Sequence, residues 1–320
     1  MNTRLAKSDW QSRRAAHEAR VDPWIQPRLA RQSRHERHAV EDFLFEYYPY
    51  RPAQLRRWHP GAGVVLEGAE EFLNLSGYCH APGGVAAGAV PEKRRPFLEW
   101  LAGMLESTAA RPAFFACHGL HEWAMVYRCP RVRHEKLPLR LGPQETDAVV
   151  ESLPIRCSHY DAFRFFTPDS RELNRLQPVR DEPREQPGCL HANMDLYKWS
   201  FKLSPWCPSE WIADAFELAR RIRELDMRAS PYDLSSLGFS PVRIETPEGR
   251  REYEEHQTAF AAEARPIRHR LLALCRELIA GISCSPQSEA DFPAHPCGTP
   301  ECSTSIEKSR NGLPSPSGRT

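Results

Sequence analysis

"CPSEWIADAFELARRIRELDMRAS", residues 207–230, decides the fold class. Trp211, Ile212, Ala215, Phe216, Ala219, Ile222 and Leu225 recur at the three- and four-residue steps of one helical face. Ser209 stands where an N-cap belongs, and Glu210 follows in the first turn, where the helix dipole favours a carboxylate. A helix this long with a broad apolar face needs apolar partners. The nearest candidate opens at "TPEG", with Thr246 as cap and Pro247 in the first turn. Phe260, Ala264, Ile267, Leu271, Leu274 and Leu278 form its seam to about Ala280, and Pro266 is expected to kink or split it. The two stripes are expected to pack together.

Working outward, the other elements are shorter. In "HAVEDFLFEYYPY" (38–50), Val40, Phe43, Leu44, Tyr47 and Tyr48 share a helical face that Pro49 and Pro52 end. "GAGVVLEG" (61–68) reads as a strand between glycines. Residues 81–96 read as a flexible loop ending in Lys93, Arg94 and Arg95, and "FLEWLAGMLEST" follows as an amphipathic helix. "HEWAMVYR" (121–128) fits strand and helix alike. "LPLRLG", "PQETDAVVESLP" and "IRCSHYDAFRFF" (137–166) read as strand, helix, strand. The expected fold is α+β, mainly helical, with a small sheet around 61–68 and 124–166. Residues 37–282 are expected to form a single globular domain. Residues 1–36, rich in Arg, Gln, Ser and His, read as a basic flexible extension, and 283–320, rich in Ser, Pro and Gly, as a disordered tail. The tail's Cys284, His295, Cys297 and Cys302 match no standard zinc spacing.

The 43 basic and 42 acidic residues leave a net charge of +1, so the chain as a whole is no polycation drawn to nucleic acid. No apolar run reaches the roughly 18 residues of a membrane span. The Arg-rich start carries no secretory apolar region, so a cytoplasmic protein whose ten cysteines are reduced thiols is the expectation.

Three segments bring Cys, His and an acid close together: "CHGLHEW" (117–123), "RCSHYD" (156–161) and "GCLHANMD" (188–195). Imidazoles gathered from separate segments, here His121, His159 and His191, would make a catalytic zinc arrangement of three protein ligands and an open position for water. The same histidines read equally as hydrogen-bonded core residues. Cys157 or Cys189 beside a histidine would suit a thiol nucleophile. Asp195 and Asp161 lie among aromatics, Tyr197 and Trp199 near one and Phe163 near the other. An aromatic slot with one acid can stack a flipped base and assist bond cleavage, with His191 nearby for proton transfer; it can also be a plain core rim. Arg51, Arg56 and Arg57, interleaved with Trp58, suit a phosphate backbone or a solvated helix end. Arg228, beside Asp226 and Asp233, reads as an ion-pair knot or as an anion holder.

"HAVEDFLFEYYPYRPAQLRRWHPG", "GLHEWAMVYR", "IRCSHYDAFRFF", "QPGCLHANMDLYKWSFKLSP" and "ELDMRASPYDL" together resemble a bacterial family carried under the name 3-methyladenine DNA glycosylase, over roughly residues 38–275. The resemblance implies base-excision repair: hydrolysis of the N-glycosidic bond of an alkylated purine in double-stranded DNA. It would make Asp195 or Asp161 the acid–base residue. Tyr197, Trp199 and Phe163 would shape the base pocket, and Arg51, Arg56 and Arg57 would contact phosphates. The helix-hairpin-helix glycine turn of the well-described alkyl-base glycosylases is not in the sequence. The alternatives left by the residues themselves are a metal-dependent or thiol hydrolase of a small molecule, and a non-catalytic protein with a dense core.

Overall fold

The structure is a computed structural model that describes residues 3–48, 50–129, 137–180 and 184–284. Its elements, in chain order, are β1 (Thr3–Leu5), α1 (Lys7–Ser33), α2 (Phe43–Tyr47), α3 (Pro52–Arg56), β2 (Val64–Leu66), β3 (Tyr78–Ala81), β4 (Gly84–Ala87), α4 (Arg95–Ala110), α5 (Leu120–Ala124), α6 (Pro143–Ser152), α7 (Tyr160–Phe163), α8 (Pro168–Leu173), α9 (Leu190–Lys202), α10 (Ser209–Arg228) and α11 (Pro247–Cys284), with short 3-10 turns between them. The fold is α+β, mainly helical, with one small sheet. No helix among the described residues is long and apolar enough to cross a membrane.

The stretch 207–230 is the central helix. Ala213, Ala215, Phe216, Ala219 and Ile222 of α10 are wholly buried, and the small alanines let α9 and α11 approach closely. α4 closes the layer against α11. Thr246 caps α11 as expected, its hydroxyl accepting the Gly249 N–H at 3.1 Å. Ser209 is instead the first helical residue of α10, and its hydroxyl bonds to the chain at Arg57 and His59. Pro266 does not divide α11, which runs unbroken from 247 to 284 with Ala264 and Leu271 fully buried on either side.

The sheet has the order β1-β2-β4-β3. β1 lies parallel to β2, Thr3 opposite Val64, and the other pairs are antiparallel. β3 and β4 form a hairpin around Pro82 and Gly83, a proline followed by a positive φ of 89°, which is type II turn chemistry. A second core of Trp10, Trp58, Leu66, Phe72, Tyr78 and Val85 lies under the sheet.

Three expectations need correction. Of the expected flexible extension 1–36, the described residues 3–36 hold β1 and the 27-residue α1 instead. Trp10, Val21 and Ile25 are buried, and Arg20 pairs with Asp214 and Glu217 of α10. Residues 81–96 are not a loop throughout, because they contain β4. The strands expected within 124–166 shrink to two isolated bridges, Leu139–Tyr232 and Ile155–Asn174. Pro138 and Pro143 bracket the first of these segments, and proline cannot donate to a ladder. The expected tail lies outside the described residues, except that α11 extends to Cys284.

Candidate functional site

The three Cys/His segments converge. Cys117, His121, Cys157, Cys189 and His191 line one cavity of about 20 Å3, enough for a water or an ion, with Tyr253 of α11 in its wall. Local backbone chemistry delivers each group. Gly119 takes a φ of 69° before α5, and a Cβ there would meet the Tyr253 ring at 3.3 Å. This turn starts α5 with His121 inward. Gly188 has no room for a side chain, since a Cβ would lie 2.5 Å from the Phe114 carbonyl oxygen. The turn it permits begins α9, with His191 in the first turn.

A third side chain completes the group. Asp226, in the last turn of α10, places a carboxylate oxygen so that it, one nitrogen of His121 and one of His191 all lie within 4.8 Å of one another. His121 Nε2 is 2.8 Å from Asp226 Oδ1, an ion-pair contact poorly aligned for a hydrogen bond, and neither atom has another partner among the described residues. Two donors each 2.0–2.2 Å from one tetrahedral ion would be about 3.3–3.6 Å apart, so a bound ion would spread this pair by roughly half an ångström or more. The other oxygen of Asp226 accepts from Arg223 at 2.9 Å, and Arg223 also reaches Glu122 at 3.1 Å and lies 3.8 Å over the Phe43 ring. The carboxylate is thereby oriented with one oxygen toward His121, which lines the cavity. Burial would raise the Asp226 carboxyl, but His121, then His191 and Arg223, hold it well below the usual range. Burial lowers His121, but Asp226 overrides it and the imidazole titrates above its ordinary value. Burial, and then His121, hold His191 well below its ordinary value, so it is a neutral donor.

His159 is not the third ligand. Its ring stacks near His191, centroids 5.2 Å apart, but both nitrogens are committed. Nδ1 accepts the Ala162 N–H at 3.3 Å, capping α7, so Nε2 carries the proton and donates to Asp195 at 3.3 Å. Sequence spacing could not show this cap. Asp226, by contrast, had a signal. It falls on the apolar stripe of α10, four residues beyond Ile222, where an acid is out of place unless it has work or a partner.

Asp195 is fully enclosed. It accepts from Tyr48 at 2.5 Å, from His159 and from Lys198 at 3.0 Å. Burial pushes its carboxyl up, but Lys198, followed by His159 and Tyr48, holds it far below the usual range. Asp161, a third exposed, lies 3.5 Å from Lys198 and 3.4 Å from Arg164. Asp195 and Trp199 share a second cavity of about 10 Å3 with Arg268. Tyr197 lines neither of these cavities: it is wholly buried, packed on Tyr48, Tyr50 and Phe216. Phe163 rests edge-on against Phe166.

The arginines expected at phosphates lie away from both cavities. Arg56 pairs with Glu18 at 2.9 Å and Asp22 at 2.8 Å, and neither Arg51, Arg56 nor Arg57 lines a cavity described here. Arg228 is a structural knot, but not with Asp226 or Asp233. It donates to the Ser240 carbonyl and approaches Glu224 and Glu252. The thiols are poor nucleophiles. Burial pushes Cys157 up to about 12 and Cys189 well above the ordinary range, and Cys157 donates to the His159 carbonyl rather than to an imidazole.

Compared with family models, with curated proteins and with solved structures, the chain matches none of them.

Proposed function

We propose that the chain is a metal-dependent hydrolase of small molecules, with one zinc ion held by His121, His191 and Asp226. One observation carries this reading: His121 Nε2 and Asp226 Oδ1 are buried 2.8 Å apart, and neither has a well-aligned hydrogen bond among the described residues. Buried polar atoms are rarely left so, and two such atoms facing one point suit a shared ion. Zinc at three protein ligands keeps a position for water and lowers that water's pKa toward neutrality. The adjacent cavity has room for that water. Arg223 and Glu122 fix the carboxylate that would bind the ion. Two imidazoles and a carboxylate also suit iron(II). Cys117, Cys157 and Cys189 in the same cavity wall favour zinc, because oxygen activation beside thiols would oxidise them.

Metal analysis of the purified chain tests the proposal. About one zinc per chain is expected, falling below a tenth of that in His121→Ala and in Asp226→Asn. Removing the ion with a chelator should lower the melting temperature and abolish hydrolysis in a panel of ester, amide and phosphoester substrates. A chain that arrives without metal and takes up none when zinc is offered at micromolar concentration sinks the reading.

The alkylpurine glycosylase that the sequence resemblance implies is a second reading, favoured by one surface. Trp100 is 43 % exposed and stands edge-on to Trp199, with Lys198 4.3 Å and Lys202 5.7 Å from the Trp199 ring. Aromatics flanked by cations suit stacked bases and phosphates. Free-base release from N-methylated DNA, undiminished by chelator, would establish this reading over the first.

A further inference from the structure

We infer that the substrate of the metal centre is a small molecule carrying an oxyanion, a phosphate or a carboxylate, and that Arg156 anchors it at the cavity mouth. The inference rests on the metal reading above. Arg156 is exposed, lines the same cavity as His121 and His191, and has no carboxylate partner among the described residues. Elsewhere in the molecule Arg56, Arg128, Arg140 and Arg221 are engaged with acids, whereas no acid among the described residues engages the charge of Arg156 at the cavity.

Its position is built rather than loose. The Asn174 side chain clamps the next residue, accepting the Cys157 N–H at 2.8 Å and donating to the Cys157 carbonyl at 3.0 Å. On the other side the Arg175 N–H holds the Ile155 carbonyl at 3.0 Å. The guanidinium lies 4.7 Å over the Phe114 ring. Phe114 is itself fixed, because the Gln186 amide accepts its N–H at 2.8 Å and donates to its carbonyl at 3.1 Å. A stacked guanidinium on a clamped backbone is a pre-organised fork for two oxygens of one anion.

The charge of the cavity points the same way. Arg223 offsets one of the two acids beside it, Glu122 and Asp226. A divalent ion bound to neutral imidazoles then leaves the centre positive, and Arg156 adds a second positive charge at the mouth. Such a field favours an anion whose one end binds the arginine and whose other end meets the ion.

The test uses the full chain loaded with cobalt(II), whose visible absorption reports its ligands. Inorganic phosphate is titrated into one sample and acetate into another. Phosphate or acetate should perturb the cobalt bands, and the tighter of the two names the anion class. Arg156→Met should weaken that binding at least ten-fold with the anion-free cobalt spectrum unchanged, and Arg156→Lys should recover part of the loss. Arg156 is exposed, so both variants should melt as the parent does. Binding equally tight in Arg156→Met overturns the anchoring role while the metal reading stands. Cobalt bands that never develop overturn the metal reading and this inference with it.

Discussion

Arg223 is 2 % exposed, and among the described residues its charge is met by Glu122 and Asp226. Removing one member of a buried ion network leaves the others uncompensated, at a cost of roughly 3–5 kcal/mol. Arg223→Met should therefore destabilise the metal-free chain by about 3 kcal/mol in denaturant unfolding. Added zinc should restore a larger share of stability to this variant than to the parent, because the ion supplies the missing positive charge. An equal response in both would mean that Asp226 meets no ion. At this scale the sequence was legible where a residue's own chemistry marks it. His121 and His191 stand out as isolated imidazoles beside cysteines, and they do meet. His159 looks the same on paper, and only the α7 cap turns it away. Asp226 was misread because Arg228 and Asp233 are its neighbours along the chain, whereas the helix turns it toward Arg223, three residues back. Tyr197 likewise shares its face of α9 with Leu190 and Met194, which belong to the core.

Among the elements, α1 is the largest departure from expectation. Its composition is that of a solvated basic arm, yet Trp10, His17, Val21 and Ile25 fall on one helical face and are buried. The indole N–H of Trp10 donates to the Glu67 carbonyl at 2.9 Å, and its ring meets Phe72 edge-on at 5.6 Å. Trp10→Ala should cost about 3 kcal/mol, as large-to-small changes in cores do, and lower the melting temperature accordingly. No measurable change would restore the flexible arm. The arginines concealed the element. Arg20, Arg28 and Arg31 read as solvated charges, but their partners Asp214, Glu217 and Asp42 come from other segments. The stripes of α10 and α11 were legible because each is an uninterrupted local period. The sheet was legible only at β2, whose Val64, Val65 and Leu66 run between glycines, while β1, β3 and β4 are comparably short and lack such a run.

For the whole molecule, acids are interspersed among the arginines, and stability should depend on pH through buried imidazoles. His59 joins the sheet to α10: its ring nitrogen is 2.9 Å from the Tyr78 hydroxyl, and its N–H donates to Ser209 at 2.8 Å. Burial first, and then the Arg57 charge, push its pKa down to about 4, against an ordinary 6.5. The unfolded chain therefore binds a proton that the folded chain refuses. The neutral ring's contribution is full above pH 6.5 and is lost as pH falls from there toward 4. His191, held low by burial and by His121, adds a loss of the same sign in the metal-free chain. Between pH 7 and 5 the His59 share is about 2 kcal/mol. His59→Gln, which cannot take up the proton, should flatten the decline by that amount in denaturant titrations at the two pH values. An unchanged slope would place the pH response elsewhere.

The long reach of α1 also bears on how the chain is made. Arg20 and its partner Asp214 are 194 residues apart. A ribosome adding 5–20 residues per second separates their emergence by about 10–40 s. During that interval α1 can meet Asp42, Leu55 and Phe72, which emerge sooner, but not α10. The side of α1 that faces α10 is thus seated later than Trp10, and a chaperone that shields Trp24, whose ring meets Phe216, while the ribosome reaches α10 would raise the yield of native protein.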